Sequence, residues 1–240
     1  MKTFFVFSIM ILIIVLILLS FILRNRRQLH QISPLRQPKR LYFIHIPKNA
    51  GISIELQGLK SGHLWGMFHT GPFKVHSITD DREKQLRKLG HHHNFFLVSR
   101  NPYTRIISEF FCNWDFHRRL RSFKNKEDFN DYLEFKIKNR NIINRSVFSP
   151  QNGHYIEQYR FLPPPGLKCH VLRFENLTSD FNQLMIQYQY PIRLKTHLNH
   201  GKRSHKKFGL KDLSPQNIDL IRRVYQKDFE IFNYSQSVPI

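Results

Sequence analysis

Two short stretches of the sequence combine lysine, arginine, glycine and serine in a way that suits the binding of anions. The first is residues 46–53, Ile-Pro-Lys-Asn-Ala-Gly-Ile-Ser, which lies between an apolar run and a short helical pattern ending near Gly58. Glycine lets a turn approach a ligand closely, and the first N–H groups of a helix lack partners within it. Lys48 adds a mobile positive charge and Ser53 a hydroxyl. The stretch predicts an anion cradle, and an ordinary turn with an exposed lysine fits it equally well.

The second stretch is residues 98–108, Val-Ser-Arg-Asn-Pro-Tyr-Thr-Arg-Ile-Ile-Ser. Arg100 stands where an apolar run ends, and its guanidinium fork suits a phosphate. Asn101 and the proline after it are typical of a helix start, so Ser108 lies in the second turn, on one face with Arg105. An anion that touches Arg100 and Ser108 would lie alongside this helix. The alternative is that Arg100 is a structural cap and Ser108 a small packing residue.

Three apolar runs, each followed by a loop or a helix, predict the strands that position these stretches: residues 41–46, 95–98 and 169–174. A late helix is predicted from Ser214-Pro215 through Phe232, and residues 115–150 read as partly helical. The pattern predicts an α/β fold with a P-loop-like parallel sheet flanked by helices, in a single domain. Ligands of such sheets bind at the carboxyl ends of the strands. We therefore expect the two stretches to hold opposite ends of one nucleotide-derived molecule.

The N-terminus predicts a membrane anchor. Residues 3–23 carry no charge and consist almost entirely of Phe, Ile, Leu and Val. At about 1.5 Å per residue, such a helix crosses a bilayer core of roughly 30 Å. No cleavage site of small residues follows, so residues 1–23 are predicted to be an uncleaved signal-anchor transmembrane segment. Residues 24–40 are polar, basic and proline-bearing, as stems are, and residues 41–240 form the predicted domain.

The orientation of the anchor stays open at the level of sequence. Arginines at 24, 26 and 27 follow the apolar run, and the positive-inside rule would place them and the domain in the cytosol. Three acceptor motifs for N-glycosylation favour the lumen instead. They begin at Asn144, Asn176 and Asn233.

The chain is strongly basic, with 38 Lys and Arg against 17 Asp and Glu and a formal net charge of +21. So strong a positive field favours anionic partners and argues against a neutral small-molecule substrate. Hydrophobic residues make up 41% of the chain, which supports a packed core and excludes a disordered acidic protein. Cys112 and Cys169 are the only cysteines, so a scaffold built on disulfides is excluded and a single disulfide remains open.

The motifs resemble those of a known family. Residues 44–53 resemble the 5′-phosphosulfate loop of the Golgi carbohydrate sulfotransferases, and residues 99–108 resemble their 3′-phosphate element, including the interval from Arg100 to Ser108. The chain departs from the family where Asn49-Ala50 replaces the commoner Thr-Gly pair and Ile52 replaces threonine. Further segments follow in the family's order at residues 74–79, 174–181, 197–204 and 225–229.

The resemblance implies transfer of a sulfuryl group from 3′-phosphoadenosine 5′-phosphosulfate to a carbohydrate hydroxyl by in-line displacement. Lys48 would neutralise the bridging oxygen, residues 49–53 would hold the 5′-phosphate, and Arg100 with Ser108 would hold the 3′-phosphate. Lys202 or Arg203 would close over it. A sulfuryl group carries less charge than a phosphoryl group, so no metal is required. The predicted cofactor-binding residues are Lys48, Asn49, Ala50, Gly51, Ile52, Ser53, Arg100, Ser108, Lys202 and Arg203.

A general base must take the proton of the acceptor hydroxyl, and histidine suits this task near neutral pH. His76 lies between the two anion-binding stretches and matches the family's lysine–histidine segment, so it is the predicted base. His63 and His69 are rivals. Glu55 and Glu175 are weaker alternatives, because a carboxylate needs a raised pKa for this work.

The basic residues favour an anionic polysaccharide as acceptor. The resemblance implies a single-pass type II protein of the Golgi membrane with a luminal sulfotransferase domain and no nucleic-acid partner. The alternative function is a non-enzymatic basic membrane protein that binds nucleic acid or anionic lipid. That alternative explains the charge but not the two spaced motifs. A nucleotide kinase of related fold is disfavoured, since the triphosphate loop G-x-x-x-x-G-K-[ST] is absent.

Overall fold

The computed structural model describes residues 40–63, 65, 81–112, 122–143, 153–195 and 207–239. The predicted signal-anchor at 1–23 and all of the predicted stem except Arg40 lie outside the described residues. Within the described ranges, no helix has both the length and the apolar composition needed to cross a membrane.

The described residues form three strands, eight α-helices and three short 3₁₀ turns. The strands are β1 (Arg40–Ile44), β2 (His93–Ser99) and β3 (Cys169–Arg173). The helices are α1 (Gly51–Lys60), α2 (Asp81–Gly90), α3 (Pro102–Phe110), α4 (Lys126–Lys138), α5 (Arg140–Ile143), α6 (Leu177–Gln187), α7 (Pro215–Val224) and α8 (Gln226–Ile231). The 3₁₀ turns are Gln158–Phe161, Phe174–Asn176 and Leu210–Asp212.

The three strands form one parallel sheet in the order β1-β2-β3. Ile44 pairs with Leu97, and Ser99 pairs with Arg173, so the strands end close together. Residues 95–98 of the central strand are 0% exposed, as expected of a parallel strand that is covered on both faces. The predicted parallel sheet flanked by helices is confirmed.

Successive residues of β2 point to opposite faces of the sheet, and each face has its own core. On one face, Phe96 belongs to a cluster with Phe181 of α6. On the other, Phe95 belongs to a cluster with Leu86 of α2 and Phe232, which follows α8. A third cluster joins α3 to α4, α7 and α8. These layers fix the ends of β1 and β2, where the predicted site begins.

Two predicted helix starts are confirmed. The side chain of Asn101 accepts a hydrogen bond from the N–H of Tyr103, and proline begins α3. The side chain of Ser214 accepts from the N–H of Asn217, and proline begins α7. Proline at the first helical position loses no hydrogen bond, because that N–H has no partner within the helix.

The single late helix predicted through residue 232 is wrong in one respect, because it is divided into α7 and α8. Tyr225 lies between them with φ −105° and ψ 21°, and its buried hydroxyl donates to the carbonyl of Tyr155 at 2.7 Å. This contact anchors the break against the segment before the first 3₁₀ turn. Trp114, which continues the helical spacing of the apolar residues of α3, lies outside the described residues.

Candidate functional site

The loop at residues 45–50 leads from β1 into α1. Lys48 and Ala50 adopt left-handed backbone angles there, with φ of 66° and 63°. For a residue other than glycine this conformation costs about 1–2 kcal/mol. Such strain persists only where the surrounding structure holds it, and it is concentrated at functional sites.

The N–H groups of this loop divide into paired and unpaired ones. The N–H of Asn49 donates to the carbonyl of Ile46 at 3.3 Å, and that of Ser53 donates to the carbonyl of Ala50 at 2.9 Å. The N–H groups of residues 50–52 have no acceptor within the described part of the chain. They lie at a helix N-terminus, where unpaired N–H groups favour a bound anion. The predicted set of N–H donors at 49–53 is thereby narrowed to 50–52.

Gly51 is required for a different reason from the one that the sequence indicated. It is the first residue of α1, and the turn conformation expected of it belongs to Lys48 and Ala50 instead. A Cβ at position 51 would lie 2.2–2.4 Å from three ring atoms of His45. The His45 ring is itself fixed, because its Nδ1 lies 2.8 Å from Oε1 of the buried Glu55. Glycine therefore makes room for the imidazole beneath the loop.

Arg100 joins the end of β2 to this loop. Its Nη1 donates to the carbonyl of Lys48 at 2.9 Å, and its Nε donates to Oγ1 of Thr104 at 3.0 Å. The guanidinium also lies over the ring of Phe174, with 4.0 Å between its central carbon and the ring centroid. The two stretches that the sequence singled out therefore meet at one edge of the sheet.

A buried amide connection reinforces this meeting point. The side-chain Nδ2 of Asn49 donates to the carbonyl of Val98 at 2.6 Å and to Oε1 of Gln158 at 2.7 Å. Gln158 in turn donates from Nε2 to the carbonyl of Arg100 at 2.8 Å. Asn49 is fully buried, so its side chain holds the loop against β2.

Asp228 of α8 holds Gln158 in place. Its carboxylate accepts hydrogen bonds from the N–H groups of Gln158 and Tyr159, both at 2.8 Å. Burial raises the pKa of Asp228 to about 6, although these hydrogen bonds and the charge of Arg105 act in the opposite direction. The helix pair α7 and α8 thus contacts the site through the buried carboxylate of Asp228.

Arg105 is a part of the site to which the sequence analysis gave no role of its own. It was expected on one helix face with Ser108, and the structure shows that it is 1% exposed while Ser108 is half-buried. Its Nε donates to the carbonyl of Pro47 at 3.1 Å, and its Nη1 donates to that of Ile156 at 2.7 Å. The signal in the sequence was Glu109, four residues later, which pairs with Arg105 on the apolar side of α3.

Glu109 continues this network to a histidine and a cysteine. One carboxylate oxygen lies 3.3 Å from Nη2 of Arg105, and the other lies 2.5 Å from Nδ1 of His154. Burial alone would lower the pKa of His154, but the charge of Glu109 and hydrogen bonds with Cys112 and Glu109 raise it to about 9. Burial alone would raise the pKa of Cys112, but His154 and Lys48 lower it. Cys112 and Cys169 are both free thiols.

The carboxylates that were considered as bases have structural partners. Glu55 is buried against His45. Glu175 accepts from the N–H of Asn101 at 3.0 Å and from the hydroxyl of Tyr234 at 2.8 Å. These contacts occupy both side chains in holding the loop and the start of α3.

Of the candidate histidines, His63 stacks on Trp65, with 5.8 Å between the ring centroids. His69 and His76 lie outside the described residues, as do Lys202 and Arg203. Ser53 is fully buried in the first turn of α1. The described part of the chain therefore contains the predicted anion-binding residues of the loop and of α3, whereas Lys202, Arg203 and the predicted base lie outside it.

Comparison with known proteins gives one match. The profile of the sulfotransferase family matches residues 67–235, a range that includes Arg100 and Ser108 and begins after the loop at 45–50. Neither a curated protein nor a solved structure matches the chain significantly.

Proposed function

Because the chain belongs to the sulfotransferase family, we propose that it transfers a sulfuryl group from 3′-phosphoadenosine 5′-phosphosulfate to a hydroxyl of an anionic glycan. The observation that carries the proposal is the 2.9 Å hydrogen bond from Nη1 of Arg100 to the carbonyl of Lys48. It joins two anion-binding segments at the edge of a parallel sheet where nucleotides bind. Two separate anionic groups of one nucleotide fit such a pair of segments.

The loop and the first turn of α1 fit the 5′ end of the donor. The unpaired N–H groups of residues 50–52 supply hydrogen bonds and the positive end of a helix dipole. Lys48 lies in the same loop and neutralises the negative charge that develops on the bridging oxygen as the nucleotide leaves. The transfer resembles phosphoryl transfer, in which positioning and charge stabilisation provide most of the catalysis.

Arg100 and Ser108 fit the 3′-phosphate. The guanidinium of Arg100 is oriented by Thr104, by the Lys48 carbonyl and by the ring of Phe174. A guanidinium that is held in this way loses little conformational entropy when it binds a phosphate. Ser108 follows two turns along α3 and is half-buried. Lys202 or Arg203, both outside the described residues, is the further proposed contact of the 3′-phosphate.

His76 remains the proposed general base for the acceptor hydroxyl. The two carboxylate alternatives have structural partners in the site, which weakens their case. The net charge of +21 supports an anionic glycan as acceptor, since it attracts polyanions at long range. With the signal-anchor at residues 3–23, the proposed setting is the Golgi membrane with the domain in the lumen.

The test is sulfate transfer from labelled donor to a panel of glycans by the full-length protein. Lys48→Ala is expected to lower kcat about 100-fold or more, because it removes charge stabilisation of the transition state. Lys60→Ala, at the exposed end of the helix that follows the loop, is the matched control and should transfer normally. His76→Ala should reduce kcat more than donor affinity. Normal transfer by Lys48→Ala would refute the assigned role.

Binding of the donor, of nucleic acid and of anionic vesicles, measured beside the transfer assay, separates the enzyme from its non-enzymatic alternative. A folded protein that binds the donor but sulfates no glycan contradicts the proposed acceptor class. A protein that binds nucleic acid or anionic vesicles with strong salt dependence, and that binds no donor, contradicts the enzymatic proposal as a whole.

A further inference from the structure

Three side chains with metal-binding chemistry meet in a buried cluster that the proposed transfer does not use. A carboxylate oxygen of Glu109, the Sγ of Cys112 and an imidazole nitrogen of His154 all lie within 4.8 Å of one another. The N–H of Cys112 donates to the carbonyl of Glu109 at 2.9 Å, which closes a turn at the end of α3. His154 follows Gly153, whose φ of 81° lies in the left-handed region that favours glycine.

The donor set selects a class of metal ion. Thiolate and imidazole ligands suit zinc and similar transition ions, whereas magnesium and calcium require oxygen ligands. Ligand atoms lie about 2.0–2.3 Å from zinc, so two of them are at most about 4.6 Å apart. The three ligand atoms already lie near this spacing, and the 2.5 Å contact between Glu109 and His154 lengthens when both bind one ion. Three protein ligands leave a fourth position for a water molecule.

The surroundings of the carboxylate support this reading. Ligating carboxylates are usually held by a further hydrogen bond that fixes their orientation. Oε1 of Glu109 is held in this way by Nη2 of Arg105 at 3.3 Å, and Oε2 faces the imidazole of His154. Arg105 itself is fixed by two backbone carbonyls. The carboxylate is therefore oriented before any ion arrives.

We propose that Glu109, Cys112 and His154 bind one Zn²⁺ or a similar divalent transition ion. The ion ties the end of α3 to the segment at 153–158, which contacts Arg105 and Asn49 behind the anion-binding loop. Its role is structural, since sulfuryl transfer requires no metal. The proposal does not depend on the proposed transfer.

The positive charges of Lys48 and Arg105 nearby do not oppose the ion, because metal binding displaces protons. Cysteine binds a metal ion as the thiolate and histidine as the neutral imidazole, so protons that leave on binding offset the charge of the ion.

Cobalt titration of the full-length protein, first treated with a chelator, tests the site. We expect one equivalent of Co²⁺ to produce a thiolate-to-cobalt absorption band, which Zn²⁺ then removes. Cys112→Ser should abolish the band. This variant retains all 14 histidines, so any signal from adventitious binding of cobalt to histidine would persist in it. Cys169→Ser is the matched control and should keep the band. Absence of the band in the unmodified protein, or its persistence in Cys112→Ser, would overturn the proposal.

A second measurement needs no variant and covers the case in which Cys112→Ser does not fold. The native protein is alkylated with iodoacetamide with and without Zn²⁺, and both cysteines are followed by mass spectrometry. Zinc should slow alkylation of Cys112 at least tenfold and leave that of Cys169 unchanged. Alkylation of Cys112 at a rate that zinc does not change, whether fast or slow, would overturn the metal site.

Discussion

Replacing Gly51 with alanine is expected to lower the free energy of unfolding by about 3 kcal/mol. The added Cβ would lie 2.2–2.4 Å from three atoms of the His45 ring, whereas carbon atoms in contact are about 3.5–4.0 Å apart. Such overpacking costs roughly 1–3 kcal/mol. Displacing the ring also breaks its 2.8 Å contact with buried Glu55, at a further cost of about 1–3 kcal/mol. The better helix propensity of alanine offsets at most about 1 kcal/mol.

Urea unfolding at neutral pH measures the loss, and thermal unfolding should show a midpoint lower by roughly 6–12 °C for a domain of this size. Gly209→Ala is the matched control. Its Cβ would meet no atom within 4 Å, and its φ of −154° is extended backbone that alanine adopts readily. We expect this control to change stability by less than about 0.5 kcal/mol.

A double variant identifies the His45 ring as the cause. In His45→Ala/Gly51→Ala the ring is gone, so the new methyl group has room, and the double variant should lose less stability than the two single variants together. Gly51→Ala should also weaken donor binding, because the start of α1 shifts. Strict additivity of the two losses, or a Gly51→Ala protein as stable as the unmodified one, would refute the reasoning.

Three further predictions concern the same loop and its supports. Ala50→Gly should raise the free energy of unfolding by up to about 1 kcal/mol, because glycine adopts φ 63° without strain. The greater freedom of glycine in the unfolded chain cancels only part of this gain. A lower unfolding midpoint in scanning calorimetry would contradict the prediction. Arg105→Lys should lower the free energy of unfolding in urea by about 3 kcal/mol, because an ammonium group cannot replace the three buried hydrogen bonds of the guanidinium. Arg87→Lys, in an exposed pair of the same spacing, should cost less than about 0.5 kcal/mol, and equal losses would contradict the role of burial. The pKa of Asp228 rises from 3.8 to about 6 on folding, so the folded state binds the extra proton and stability falls as pH rises from about 4 to 6. The stability of the unmodified protein relative to Asp228→Asn should therefore fall by up to about 3 kcal/mol across that window, and a constant difference would contradict the raised pKa.

The elements that the sequence predicted well are those with a local cause. Residues 95–98 form an unbroken apolar run, and only a strand buried on both faces accommodates it. Asn101 and Ser214 begin helices because each side chain accepts a hydrogen bond from an N–H two or three residues later. The position of the loop and of Arg100 at one edge of the sheet also followed from the sequence, since the carboxyl ends of neighbouring parallel strands share that edge.

Other features depend on partners that are far apart in the chain. Asn49 and Gln158 are 109 residues apart and meet only after β1, β2 and the segment at 153–158 have packed. The break at Tyr225 depends on its hydrogen bond to Tyr155, which a periodic apolar pattern does not encode.

The sequence by itself determined the sheet, the starts of two helices and the placement of the two predicted anion-binding segments at one sheet edge, because backbone preferences and apolar periodicity act over a few residues. Only the tertiary structure decided that Gly51 makes room for the His45 ring, that Arg105 is buried, and that Glu109 and Cys112 meet His154. Burial and long-range hydrogen bonds decide such contacts, and their energies depend on distances that exist only once the chain has folded.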